Sequence, residues 1–217
     1  MSKIDKAYKS SKNIYDDVLT QSSLFGKVYI KLFWGGVDDK KIVQKVLSYI
    51  PDDFLDVLLD VPVGTAVFTQ EKWKKLKNAD ITGLDYSEDM LDVARERLGE
   101  CEHISLLQGD VGALPMHDDS CDIVISMNGF HVFPDKIKAY DEIHRVLKPK
   151  GKFIACFYIK GESKITDTLV KCILSKKGWF TPPFQSVNDV KEILAKSYDN
   201  IDLIVDGSMI MFCCEKK

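Results

Sequence analysis

Several signals are missing from this sequence, and each absence removes a class of function. No apolar run reaches the ~20 residues that a bilayer-spanning helix requires, so no membrane partner is expected. The N-terminal stretch MSKIDKAYKSSKN is polar and has no apolar h-region. No signal peptide is therefore read, and a cytoplasmic location is expected. The six cysteines (Cys101, Cys121, Cys156, Cys172, Cys213 and Cys214) form no CxxC pair and no zinc spacing. No metal is expected, and the thiols in apolar runs read as buried and reduced. Basic residues do not exceed acidic ones: 30 against 33, for a net charge of −3. Nothing in that balance points to a polyanion, and no Asn-Pro-Pro-Tyr motif is present, so no nucleic-acid partner is expected. The G-x-G-x-x-G fingerprint of nicotinamide enzymes is absent as well. No internal repeat or low-complexity block is visible.

What is present fits one globular domain over 1–217, with 45% apolar and 29% charged residues. From about Asp52, apolar runs alternate with amphipathic stretches. Val57–Val61, Ile81–Leu84, Ile104–Leu107, Ile123–Ser126 and Phe153–Tyr158 lack polar alternation, as strands covered on both faces do. Between them, Ser87 can cap a helix whose Leu91, Ala94 and Leu98 share one face. A second helix starts near Asp135, uses Ile137, Tyr140, Ile143 and Leu147, and stops at Lys148-Pro149-Lys150-Gly151. This alternation predicts an α/β fold: a Rossmann-like, doubly wound, mostly parallel sheet. At the C-terminal end, Asp206-Gly207 splits two apolar runs. That dipeptide predicts a type I′ hairpin, because both central residues of such a turn need positive φ. The last two strands are therefore antiparallel neighbours.

The first 50 residues read as helices, with Ile42, Val43, Val46, Leu47 and Ile50 as an apolar stripe. They form either a lid or a cover for a sheet face. Residues 52–158 read as the cofactor-binding core. Residues 159–217 read as a substrate-side segment followed by the hairpin.

Ligands of such sheets lie beyond the C-terminal ends of the strands. There the sequence places Asp60, Asp85 and Asp110, at the ends of the first, second and third strands and 25 residues apart. A carboxylate after the second strand suits ribose hydroxyls, and one after the third suits an adenine amino group.

The stretches LLDVPVGT, ITGLDYSEDMLDVARERL, ISLLQGDVGALPM, CDIVISMNGFHVF and EIHRVLKPKGKFIACF, in that order, resemble the class I S-adenosylmethionine-dependent methyltransferases. The likeness is to the small-molecule group near the ubiquinone/menaquinone enzymes and covers roughly Asp52 to Tyr158. The resemblance implies a seven-stranded sheet with its last strand antiparallel. It implies S-adenosylmethionine as cofactor and in-line methyl transfer to a small molecule. Asp60, Val61, Gly64 and Thr65 would border the methionine part of that cofactor. Asp85 would take the ribose hydroxyls, with Tyr86 and Met90 beside the ribose or adenine. Gly109, Asp110 and Val111 would hold the adenine, and Asn128 and His131 would face the sulfonium and the acceptor.

Two positions depart from the family's acid-x-Gly-x-Gly-x-Gly pattern: Pro62 and Ala66 replace the first and third glycines. Pro62 removes an N–H and fixes φ near −65°. Ala66 is tolerable if it opens a helix with ordinary dihedrals. Either the loop still binds, or the site is a non-catalytic binder of S-adenosylmethionine or S-adenosylhomocysteine. His131 is the candidate base, the alternative being a packed, hydrogen-bonded histidine. Tyr15, Phe130 and His131 are candidate substrate contacts. Lys176 to Ser186, with Trp179, Phe180 and Phe184, is a second candidate wall or a packing segment. If these aromatics line the pocket, a flat, fairly apolar acceptor is favoured.

Overall fold

The structure is a computed structural model and describes residues 39–217. Seven strands form one sheet: β1 (Val57–Asp60), β2 (Asp80–Asp85), β3 (Ile104–Gln108), β4 (Cys121–Met127), β5 (Leu147–Tyr158), β6 (Tyr198–Asp206) and β7 (Met209–Lys216). Their order is β3-β2-β1-β4-β5-β7-β6. The strands β1 to β5 pair in parallel, and β7 runs antiparallel to both β5 and β6. The order reverses between β1 and β4, and a crevice opens at such a switch point.

Helices cover both faces. On one lie α1 (Asp39–Ser48), α2 (Gln70–Trp73), α3 (Glu88–Leu98) and α5 (Lys164–Leu169). The last runs on through a π-helical turn (Val170–Leu174) into Ser175–Lys177. On the other lie α4 (Lys136–Val146) and α6 (Val187–Ser197). The unbroken apolar runs of the inner strands follow from this double cover. In α3, Leu91, Ala94 and Leu98 are all buried. Each such leucine contributes about 1.5–3 kcal/mol on leaving water. In α1, Ile42 and Val46, followed by Ile50, are buried against the same face as β5 and β7. This part of the N-terminal region therefore covers the sheet; the rest of 1–50, including Tyr15, lies outside the described residues.

Three local expectations change. The α4 stripe does not include Ile137, which is exposed, while Tyr140 and Ile143 are buried. The helix ends at Val146, and Leu147 already pairs with Cys121 in the sheet. The pairing then jumps to Lys152 with Ile123, so Lys148–Gly151 forms a bulge with Lys150 at φ 65°. Gly151 is required there for closeness: a Cβ would meet the Lys148 carbonyl oxygen at 2.8 Å. At the hairpin, Asp206 pairs with Met209, so the central residues are Gly207 and Ser208. Only Gly207 has positive φ, the pattern of a glycine-first II′ turn rather than I′.

Candidate active site

The loop after β1 crosses the tips of its two neighbours. Val61 N–H donates to the Ile125 carbonyl, and Val63 N–H to the Leu84 carbonyl, both at 2.9 Å. Between them the Val61–Pro62 peptide is cis. Gly64 follows at φ 55°, which turns its N–H onto Asp85 Oδ2 at 2.9 Å. The other oxygen, Oδ1, accepts from Ser87 N–H at 2.9 Å. Asp85 is thus fixed by two backbone donors while almost buried. Burial pushes its carboxyl up to about 6, against the pull of the Ser87, Gly64 and Tyr86 amides.

Asp110 stands after β3, where its Oδ1 accepts from Gly112 N–H at 2.8 Å and caps a 3₁₀ turn over Val111–Ala113. Gly109 is needed for close packing, since a Cβ would meet Leu84 Cδ1 at 2.9 Å. Asp85 and Asp110 share a cavity of about 190 Å³. Val61, Pro62, Leu84, Tyr86, Ser87, Gly109 and Val111 complete the strand-tip side, and Val132, Phe133 and Pro134 form the opposite wall.

Six residues expected at the cofactor therefore line one cavity: Val61, Asp85, Tyr86, Gly109, Asp110 and Val111. Others lie elsewhere. Asp60 is buried behind the loop and accepts from Trp73 Nε1 at 2.9 Å. Burial pushes it up to about 7, although the Trp73 bond pulls the other way. The three strand-end carboxylates thus do not converge; two of them do. Gly64 contributes its N–H to Asp85, and Thr65 is held by the Arg97 guanidinium through its hydroxyl and carbonyl oxygens. Met90 is buried in the first turn of α3.

The switch point between β1 and β4 is tightly filled. A Cβ on Gly129 would meet Pro62 Cδ and Phe133 Cζ at 2.5 Å and Ser126 Oγ at 2.6 Å. Ala66 is also at positive φ, 56°, and buried, so it does not open a helix with ordinary dihedrals as expected. Asn128 sits at φ 58° with its N–H on the Cys156 carbonyl. Its Oδ1 and the Ser126 Oγ are buried without hydrogen-bond partners.

Two residues expected at the substrate are core residues. Phe130 is fully buried among Tyr140, Phe153, Phe157 and Phe133. His131 is 3% exposed and stacks on Phe180 at 4.0 Å. Its Nδ1 accepts from Tyr158 N–H at 3.3 Å, which places the ring proton on Nε2. Burial pushes its pKa down to about 3, with the Lys136 charge adding to the fall. Lys136 is a buried ammonium that the sequence did not single out. It donates to the carbonyls of Phe133 (3.0 Å) and Thr181 (2.7 Å), tying the cavity wall to the Lys176–Ser186 segment. Burial lowers it to about 8. The wall itself was also missed, although the apolar FHVFP run ahead of the Asp135 cap was its one signal.

A switch-point sheet with carboxylates on the β2 and β3 tips facing one cavity defines a Rossmann-like, nucleoside-binding class of protein. Residues 59–155 match the family model described as "Methyltransferase domain", the same stretch that carries the resemblance seen in the sequence. Among curated relatives, the demethylmenaquinone methyltransferase of Staphylococcus epidermidis is 40% identical over 97 residues, 44% of this chain. That of Staphylococcus aureus is 38% identical over the same length. The match spans 40% of the length of these relatives. A solved methyltransferase of Thermotoga maritima, described as a possible histamine N-methyltransferase, superposes with a TM-score of 0.71 at 18% identity. The superposition covers 99% of this chain and 100% of that one. The Haemonchus contortus phosphoethanolamine N-methyltransferase 2, solved with S-adenosyl-L-methionine, gives 0.67 at 21% identity. It covers 94% of this chain and 46% of that one. At these identities the structural matches establish the fold.

Proposed function

We propose that this protein binds S-adenosylmethionine and directs its methyl group to a small-molecule acceptor by in-line displacement. The observation that carries the proposal is the shared cavity of Asp85 and Asp110 at adjacent strand tips. The residues present fit the cofactor. Asp85 is held by backbone donors at the place suited to ribose hydroxyls. Asp110 and the Val111 amide stand where an adenine edge would lie. Gly109 keeps that floor open, and the buried, unpartnered Asn128 Oδ1 stands at the β4 tip as an acceptor awaiting a donor. Gly64 and Thr65 are assigned to the methionine side through the shape of the loop. Asp60 stands behind that loop, taken up by Trp73 rather than facing the cofactor.

The cofactor supplies a methyl already activated on a sulfonium. The chain's part is to orient the acceptor and exclude water, and orientation alone can be worth ~7–11 kcal/mol. His131 is assigned to packing. With its pKa near 3 and Nδ1 taken by Tyr158 N–H, it is a poor proton acceptor at neutral pH. The named acceptor of the Staphylococcus relatives is a demethylmenaquinone. That name supports a flat, apolar acceptor; the aromatics of the Lys176–Ser186 segment pack in and against the core and do not line the cavity.

A second reading is favoured by one observation, the Pro62 ring seated on Gly129 at the switch point: a protein that binds the nucleoside half and performs no chemistry. Thermal shift with S-adenosylmethionine and S-adenosylhomocysteine tests binding. Stabilisation at millimolar ligand is expected, and none at all would sink both readings. Methyl transfer from labelled S-adenosylmethionine to a panel of quinols and phenols then separates the two.

A further inference from the structure

One surface is unused by the site, and it lies on α5 and the turns that continue it. Thr166, Val170 and Leu174 form the buried line of this segment. One position earlier in each turn come Ile165, Leu169 and Ile173. Ile165 is 68% and Ile173 43% exposed, with Leu169 half-buried between them. In an unbroken α-helix, residues eight apart diverge by roughly 80° around the axis. The π-helical turn over Val170–Leu174 widens the repeat and brings both spacings of eight into line. The buried line and the apolar ridge beside it are products of the same turn.

Charge singles out this ridge from other exposed apolar residues. Between Lys160, which pairs with Asp189, and Trp179 there are four lysines and two acids, in a chain whose net charge is −3. Of the two acids, Asp167 is taken by the Tyr158 hydroxyl and the Gly161 N–H. Lys164, Lys171, Lys176 and Lys177 are exposed, and Lys177 lies over the Trp179 ring at 4.9 Å. An apolar ridge with ammonium groups along its flank and an aromatic ring at its end matches the layered chemistry of an anionic lipid surface.

We propose that the ridge Ile165–Leu169–Ile173 and its flanking lysines form a peripheral docking face for anionic lipid. This goes beyond methyl transfer and does not depend on it. It also departs from the sequence expectation of no membrane partner. No helix among the described residues is long and apolar enough to cross a membrane, but surface docking needs only one face. The sequence hides that face, because the three apolar residues align only when the π turn is counted.

The test is co-sedimentation of the full chain with phosphatidylglycerol-containing vesicles and with pure phosphatidylcholine vesicles. Binding is expected to the first, to fall with salt, and to be absent from the second. The double variant Ile165→Asp, Ile173→Asp should sediment no more than the phosphatidylcholine control. Lys164→Gln with Lys176→Gln should weaken binding by roughly 25-fold, about fivefold for each lysine. Both pairs are solvent-facing, and an unchanged thermal unfolding midpoint without ligand would report intact folds. Equal sedimentation with both vesicle types, or an unaffected isoleucine variant, overturns the proposal. So does concentration-dependent self-association abolished by the same variant, which would assign the ridge to a second copy of the chain.

Discussion

The two sides of the β1 tip are built on opposite plans. Toward β2 and β3, polar groups are fixed by backbone and left facing a cavity: Asp85 by the Gly64 and Ser87 amides, Asp110 by the Gly112 amide. Toward β4 and β5, the space is filled by packing. Pro62 seats on Gly129, Phe130 lies in an aromatic core and His131 stacks on Phe180, while at the β1 tip itself Asp60 is taken by Trp73. Recognition of a nucleoside needs only strand ends and turns, which the fold supplies in a fixed geometry. The reacting side needs shape, and shape here comes from side chains contributed by several separate segments.

The comparison is broken most directly at Asp85. Asp85→Ala removes a carboxylate assigned two hydroxyl hydrogen bonds, each worth about 1.5 kcal/mol or more when charged. Affinity for S-adenosylhomocysteine should drop by about 100-fold, measured by calorimetry. Asp110→Ala, losing one such bond, should cost about tenfold. An Asp85→Ala protein that bound normally would show that the polar side is not the recognition side.

Trp73→Phe probes the packed side. It leaves the buried Asp60 carboxylate one donor short, at a cost of about 1–3 kcal/mol of stability. Denaturant midpoints should fall while ligand affinity, corrected for folded fraction, stays the same.

A third prediction uses pH. Asp60 and Asp85 are raised to about 7 and 6 from 3.8. Between these values the folded chain keeps protons that the unfolded chain gives up, so their contribution to stability is lost as pH rises from about 4 to 7. His131 is lowered to about 3 from 6.5, so the unfolded chain alone takes up that proton, and stability is lost as pH falls through the same window. The two slopes oppose each other and flatten the wild-type profile. Asp60→Asn should gain on the wild type as pH rises from 4 to 8, and His131→Phe should gain as pH falls from 6.5. Thermal midpoints across that range check both.

This contrast also explains what the sequence could and could not reveal. The alternation of strands and helices, the hairpin at Gly207 and the carboxylates at the β2 and β3 tips follow from local signals: apolar runs, turn residues and spacing. The direction of Asp60 does not, because the donor that claims it, Trp73, lies on another element and pairs with it only in the folded chain. His131 and Phe130 were read from their place after β4. Their burial depends on Phe180 and Tyr140, from distant segments. Ala66 at positive φ runs against residue preference, and only the surrounding packing imposes it. The acceptor wall and the buried Lys136 belong to this second kind of information. It is carried by tertiary contacts rather than by any motif.

The smallest expected effect, and the finest test, is Pro62→Gly. Glycine enlarges the unfolded ensemble and withdraws the ring from Gly129, so stability should fall, read as a lower Tm. Binding should respond unequally. Pro62 is one apolar residue of the cavity lining, whereas Asp85 and Asp110 supply the polar contacts assigned to the nucleoside, so adenosine affinity should change little. S-adenosylhomocysteine would add a methionine part, assigned to the loop after β1 and to Asn128, where removing the ring opens room, so its affinity should rise. A rise for adenosine of the same size would mean that Pro62 shapes the nucleoside pocket itself. The division between a recognising side and a packed side would then have to be redrawn through the loop rather than along the strand.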